Sequence, residues 1–97
     1  MSAHKLQITL TQKAQTDLSN ILSFTLQTWG EKQFIKYKDT INDGLIAIAS
    51  NPQLGQKIYG VMNYHVGRHK IFYRVENSTI YVLRILHDRM DAVRYLH

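Results

Sequence analysis

Residues 71–87 read IFYRVENSTIYVLRILH, and two strand patterns meet in that stretch. Ile71, Tyr73 and Val75 alternate with Phe72, Arg74 and Glu76, the period-two signature of a strand with one buried face. After the polar turn Asn77-Ser78, the residues Ile80, Tyr81, Val82, Leu83, Ile85 and Leu86 follow with little polar interruption. Such a run predicts a strand covered on both faces, and therefore one interior to its sheet.

Upstream the period changes from two to 3.6. Ala14, Leu18, Ile21, Leu22, Thr25 and Trp29 recur at spacings of three and four, drawing one apolar stripe behind an N-cap at Thr11. Gly30 ends that helix, because glycine takes a positive φ without a Cβ penalty. A second helix begins at once, with Glu31 near its positive end and Phe34, Tyr37, Ile41, Leu45 and Ile48 on one face. Gly44 inside it costs about 1 kcal/mol relative to alanine, so it is expected to mark the close approach of another backbone. Asn51-Pro52 stops the helix, Gln53 to Gly60 reads as loop, and the β pattern resumes at Val61. Before the first helix, Leu6, Ile8 and Leu10 alternate with Gln7 and Thr9 as a short strand. After the last strand, Asp88 to His97 reads as a short helix with Met90, Val93 and Leu96 on one face.

Strand, helix, helix, three strands and a terminal helical turn define an α+β fold: a two-helix hairpin packed on a small mixed, mostly antiparallel sheet. At 97 residues, with no repeat and no low-complexity segment, the chain is expected to form one domain over residues 1–97. Cysteine is absent, which excludes disulfides and thiolate metal sites and fits a reducing, cytoplasmic setting. The opening Met-Ser-Ala-His-Lys-Leu-Gln lacks the apolar core of an export signal, and no stretch is long enough to span a bilayer.

The formal charge of +5 is unevenly spread. Residues 1–56 carry five Lys/Arg against four Asp/Glu, whereas residues 57–97 carry seven against three. A basic C-terminal part points to a nucleic-acid, nucleoprotein or acidic-protein partner, with a generally basic soluble surface as the plainer reading. Arg84 stands inside the most apolar strand, so it must be paired or face an open groove. Together with Arg74 it could form a positive floor on the sheet face opposite the helices; in the plainer reading one or both pair with Glu76 or Asp91.

The densest ionisable run, Arg84-Ile85-Leu86-His87-Asp88-Arg89-Met90-Asp91, leaves a strand end, which is a rigid platform for function. The plainer reading has Asp88 capping the terminal helix and Arg89 paired with Asp88 or Asp91. His65 and His69 flank Gly67-Arg68, but a zinc site needs three or four protein ligands, so no metal is expected; Arg68, His69 and Lys70 read instead as a basic rim. Five tyrosines (59, 64, 73, 81 and 95) mixed with cations suit stacking on single-stranded nucleic acid, or simply the packing of a small sheet. The chain has no nucleophile elbow, P-loop, dinucleotide fingerprint or H-E-x-x-H, and no cofactor is implied.

Leu10-Thr11, Ala14, Asp17-Leu18, Trp29-Gly30, the strand His69-Lys70-Ile71-Phe72-Tyr73-Arg74 and above all residues 84–91 resemble the ParE branch of the RelE/ParE toxin superfamily. The resemblance covers nearly the whole chain. It implies the toxin of a type II toxin–antitoxin pair, one that inhibits DNA gyrase without catalysis of its own and is held silent in a hetero-oligomer by a ParD-like antitoxin. Target-binding residues would be Arg84, His87, Arg89, Met90 and Asp91. The antitoxin would cover Leu22, Leu26, Trp29 and Phe34, which a small sheet cannot all bury, and an acidic stretch would cross a basic surface that includes Arg68 and Arg74. The sister branch, ribosome-dependent mRNA interferases of the RelE type, would instead use His87, Arg89 and Tyr95 as catalytic residues, with Arg68 assisting. Met90-Asp91 departs from that branch, since an acidic Asp91 works against a developing phosphate charge. A third reading keeps only antitoxin binding, without toxicity.

Overall fold

A computed structural model describes residues 6–96; the first five residues, which belong to the opening read above for an export signal, and His97 at the end of the expected terminal helix lie outside it. The chain runs through β1 (Gln7–Leu10), α1 (Gln12–Trp29), α2 (Glu31–Ser50), a 3-10 turn (Pro52–Leu54), β2 (Gln56–Ile58), β3 (Val61–Val66), β4 (His69–Glu76), β5 (Thr79–His87) and α3 (Ala92–Tyr95). Two helices packed on a mixed sheet is the architecture the sequence predicted.

Local chemistry explains the boundaries. The Thr11 hydroxyl accepts the Ala14 N–H at 3.1 Å and donates to the Leu83 carbonyl at 2.9 Å, so one side chain caps α1 and ties it to β5. Gly30, at φ 90° and ψ 179°, is at once the end of α1 and the start of α2, a conformation closed to residues with a Cβ. The hairpin is therefore joined by a single residue.

The sheet order is β1-β5-β4-β3-β2, with β1 parallel to β5 and the other pairs antiparallel. β5 is interior, as its double-sided apolar run predicted. The sheet has one strand more than expected: Gln56–Ile58, read as loop, pairs with β3 through a Tyr59-Gly60 turn in which both residues have positive φ. Three residues, two of them polar, give no periodicity to read.

Ile41 and Ile48 of α2 meet Ile71, Tyr73, Ile80 and Val82 of the sheet to form the main core. Each such burial is worth roughly 1.5–3 kcal/mol, and together they hold the hairpin on this face. Tyr73 is fully buried, yet its hydroxyl donates to the Pro52 carbonyl at 2.7 Å and accepts the Gly55 N–H at 3.1 Å, so no polar atom is stranded. The opposite face carries a smaller cluster of Val61, Phe72 and Leu86, against which Ala92, Tyr95 and Leu96 pack. Phe72 is thus buried where the alternation placed an outward residue, because the chain end folds back over it, while Val75 is 38% exposed. The terminal helix is shorter than expected and buries another side: Met90 and Val93 are exposed, and Asp91 rather than Asp88 caps it, accepting the Val93 N–H at 3.2 Å. No described helix is long and apolar enough to cross a membrane.

Candidate functional site

The hairpin does not cover its sheet face completely. Between α1, the start of α2, the β3–β4 turn and the end of β5 lies an open groove of about 1030 Å³. Ile21 of α1 and Ile85 and Leu86 of β5 line it, and Phe24 and Trp29 rise along α1 with 63% and 68% of their surfaces exposed. Two aromatic side chains so uncovered on one helix are an unusual burden for a small domain in water.

The far wall is polar. Gly67 turns the chain from β3 to β4 at φ 60°, and a Cβ there would stand 2.7 Å from the Tyr37 ring, so both backbone and space require glycine. Tyr37 accepts the Arg68 N–H at 3.1 Å, and its hydroxyl lies 2.5 Å from His69 Nδ1. Burial, reinforced by neighbouring His87, lowers the His69 pKa to about 4. His69 is therefore neutral near pH 7, and its Nδ1 accepts the Tyr37 hydroxyl hydrogen; the Val66 carbonyl, at 3.4 Å, is the more distant acceptor. Burial also raises the Tyr37 pKa, which keeps that hydroxyl a donor. The His69 and His87 rings meet edge to face at 5.3 Å, carrying the wall on to the end of β5.

Just beyond β5, residues 88–91 are exposed. His87 Nδ1 lies 3.2 Å from the Arg89 N–H and 3.2 Å from Asp88 Oδ1, two contacts that exclude each other. An Nδ1 without a hydrogen accepts the Arg89 amide, whereas one that bears a hydrogen donates to Asp88. Asp88 also approaches His65 Nε2 at 3.5 Å, and Arg89, Met90 and Asp91 are all exposed to solvent.

Arg84 requires a correction. It neither pairs with Glu76 or Asp91 nor faces an open floor: its Nε and Nη2 meet the Asp17 carboxylate at 2.7 and 2.8 Å. Nη1 reaches the Tyr95 carbonyl at 3.3 Å, and the guanidinium lies 5.6 Å from the Tyr95 ring centre. A register shift opposite Phe72 and Tyr73 leaves Leu83 as an extra residue in β5 and brings Arg84 to the α1 edge. The hydrogen bonds that Arg84 donates to Asp17 raise the Arg84 pKa, and the carboxylate offsets its positive charge. Arg74 is exposed and pairs loosely with Glu76 at 3.5 Å, so the two arginines form no joint positive floor.

Of the residues expected to meet an antitoxin, Trp29 lines the groove and Arg68 forms its rim, Leu26 is 41% exposed, and Leu22 and Phe34 are half-buried. Phe24, Tyr37 and Asp17 escaped the sequence reading as site residues. Phe24 carried a signal, as an aromatic standing off the apolar stripe between Leu22 and Leu26. Asp17 carried none, since its partners Arg84 and Ile85 are 67 and 68 residues away. The ribonuclease set is not brought together: His87 faces the groove, while Tyr95 packs on the opposite sheet face.

A helical hairpin on a mixed sheet is a fold that the chain shares with solved chains of toxin–antitoxin systems. It superposes on a solved chain of the chromosomal ParDE TA system from P. aeruginosa with a TM-score of 0.73, at 21% identity over 87% of this chain and 97% of that one. The RelBE2 toxin–antitoxin complex from Mycobacterium tuberculosis gives 0.64, at 17% identity over 86% and 98%. Residues 8–92 match the family model described as ParE toxin of type II toxin-antitoxin system, parDE. The chain is 35% identical over 92 residues to Toxin ParE1 of Mycobacterium tuberculosis (strain ATCC 25618 / H37Rv), covering 90% of this chain and 94% of that protein. It is 31% identical over 91 residues to Toxin ParE1 of Caulobacter vibrioides, with the same coverage. The chain belongs to the ParE toxin family of type II toxin–antitoxin systems.

Proposed function

We propose that this ParE-family toxin acts in the cytoplasm by inhibiting DNA gyrase, without chemistry of its own, and that a ParD-like antitoxin neutralises it. The family match over residues 8–92 carries this reading. The separation of His87 from Tyr95 supports it against messenger-RNA cleavage, which needs an acid, a base and a phosphate clamp around one bond. The target would meet the exposed run His87, Arg89, Met90 and Asp91, with Arg84 behind it.

The antitoxin would lay an amphipathic segment along the groove against Phe24 and Trp29, then send an acidic stretch past Arg68 towards the basic C-terminal part, leaving Arg74 as an outer contact. Leu26, exposed, and Leu22 and Phe34, half-buried, do not line the groove and would meet the antitoxin only where it reaches past that wall. In the test, purified toxin is incubated with gyrase and supercoiled plasmid, and loss of supercoiling or linear DNA is expected. Unchanged gyrase activity at high toxin excess, alongside a working control poison, refutes the target. Primer extension after induction should show transcripts uncut at ribosome-positioned codons.

A further inference from the structure

The Asp17 side chain stands where two surfaces meet. It lines the groove on α1, and it is only 13% exposed because its carboxylate turns under β5. One oxygen accepts Arg84 Nη2 at 2.8 Å; the other accepts Arg84 Nε at 2.7 Å and the Ile85 N–H at 3.0 Å. Arg84 spends its remaining nitrogen on the Tyr95 carbonyl and lays its guanidinium beside the Tyr95 ring. A chain of contacts thus runs from the groove wall, through the sheet edge, to the last described turn.

We propose that Asp17 is a positioning residue: acting through Arg84, it fixes the segment after β5 in the arrangement that meets the toxin's target. This rests on the reading that the exposed residues 87–91 make that contact.

The start of the segment is anchored directly, by the Asp88 N–H on the Arg68 carbonyl at 2.9 Å and the Arg89 N–H on His87 Nδ1 at 3.2 Å, so Arg84 acts on the part that follows. After Met90, whose N–H bonds to the His87 carbonyl at 2.9 Å, it is held by a one-turn helix and by Ala92, Tyr95 and Leu96 on Phe72 and Leu86. An isolated turn of helix has no stability of its own, so its place depends on what grips its end. The Arg84 fork supplies that grip, because a planar guanidinium can serve a carboxylate on one edge and a carbonyl on another. Without Asp17, Arg84 becomes a partly buried cation with no counter-charge, and it turns toward solvent and releases Tyr95. Because the same carboxylate borders the groove, anything seated there lies against the residue that holds the target-facing segment.

Three variants are compared with the parent toxin: Asp17→Asn, which keeps the shape and removes the charge; Arg84→Lys, which keeps an ion pair and cannot also span to Tyr95; and Arg89→Glu, which alters the target-facing run itself. Trypsin cleavage after Arg89 and Arg94, followed by mass spectrometry, reads the hold on the segment. Gyrase inhibition reads its function, and a cooperative melt reads the fold. Asp17→Asn and Arg84→Lys are expected to speed that cleavage at least tenfold and weaken inhibition at least tenfold, with a cooperative melt retained.

Unchanged cleavage in Arg84→Lys overturns the proposal whatever the target, even if Asp17→Asn fails to fold. Full inhibition by folded Asp17→Asn, with Arg89→Glu inactive, overturns the positioning role alone. Full inhibition by Arg89→Glu overturns the underlying reading, and the positioning role with it.

Discussion

Replacing Gly44 by alanine sets two effects of opposite sign against each other, and the structure decides between them. In an exposed helix interior, Gly→Ala stabilises by about 1 kcal/mol. At this position the new Cβ would stand 2.6 Å from Val66 Cγ2, 3.4 Å from Val66 Cγ1 and 3.6 Å from Ile71 Cδ1. Carbon atoms rest at roughly 3.5–4.0 Å, so one contact must lengthen by about 1 Å. Val66 cannot easily yield: it is β-branched, 6% exposed, and held in the β3–β4 ladder opposite His69. Overpacking of this kind costs typically 1–3 kcal/mol, and an off-rotamer valine adds about 1 kcal/mol more. The clash wins, and Gly44→Ala should destabilise by about 1–3 kcal/mol. For a domain of this size, Tm falls by roughly 4–8 °C for each kcal/mol lost. Urea denaturation followed by circular dichroism measures the loss. In Gly44→Ala/Val66→Ala the penalty should be partly relieved, with a coupling of at least about 0.5 kcal/mol. A more stable single variant, or strict additivity in the cycle, would refute the reasoning. Because Tyr37 lies two turns earlier on α2, lifting the helix off β3 should also loosen its hold on the Arg68–His69 turn.

The depressed His69 pKa makes stability depend on pH. The unfolded ring binds a proton near pH 6.5 and the folded one only near 4, so stability is complete above pH 6.5 and falls as pH drops towards 4. Discounted for the partial exposure of His69, the loss is on the order of 1–2 kcal/mol, and unfolding of His69→Phe should show a flatter profile across that window. Thr11→Ala removes both the α1 cap and the bond to Leu83, and should lower the urea midpoint by the equivalent of about 1–2 kcal/mol. Phe24→Ala and Trp29→Ala should each weaken antitoxin binding by about 2 kcal/mol, roughly 30-fold by calorimetry, without lowering Tm, since both side chains are mostly exposed.

The fold was legible where periodicity and chain-breaking residues agreed. Thr11, Gly30 and Asn51-Pro52 bounded both helices, and the double-sided run from Ile80 to Leu86 placed β5 inside the sheet. Legibility failed where an element was too short to have a period, as in Gln56–Ile58, or where a distant segment changed a residue's surroundings. Phe72 reads as an outward residue until Tyr95 and Leu96 arrive from the chain end to cover it. Gly44 was read as a sign of close approach, which it is, but the neighbours are the side chains of Val66 and Ile71 rather than a backbone.

The site divides along the same line. Trp29, Arg68 and the run from His87 to Asp91 were visible because each breaks a local pattern: an aromatic at a helix end, a cation in a tight turn, charges after an apolar strand. Arg84 breaks a pattern too, and sequence correctly required that it be paired or open. Choosing the partner needed two facts that no local window contains. One is the parallel pairing of β1 with β5, which ends at Leu10 opposite Val82 and leaves the next stretch of β5 facing α1. The other is the extra residue Leu83, which changes the register so that Arg84 and the Ile85 N–H both present donors to that helix. Two donors at a strand edge need an acceptor with more than one oxygen, and Asp17 meets the need from the first half of α1. Through Arg84, Asp17 thereby links the groove wall to the end of the chain.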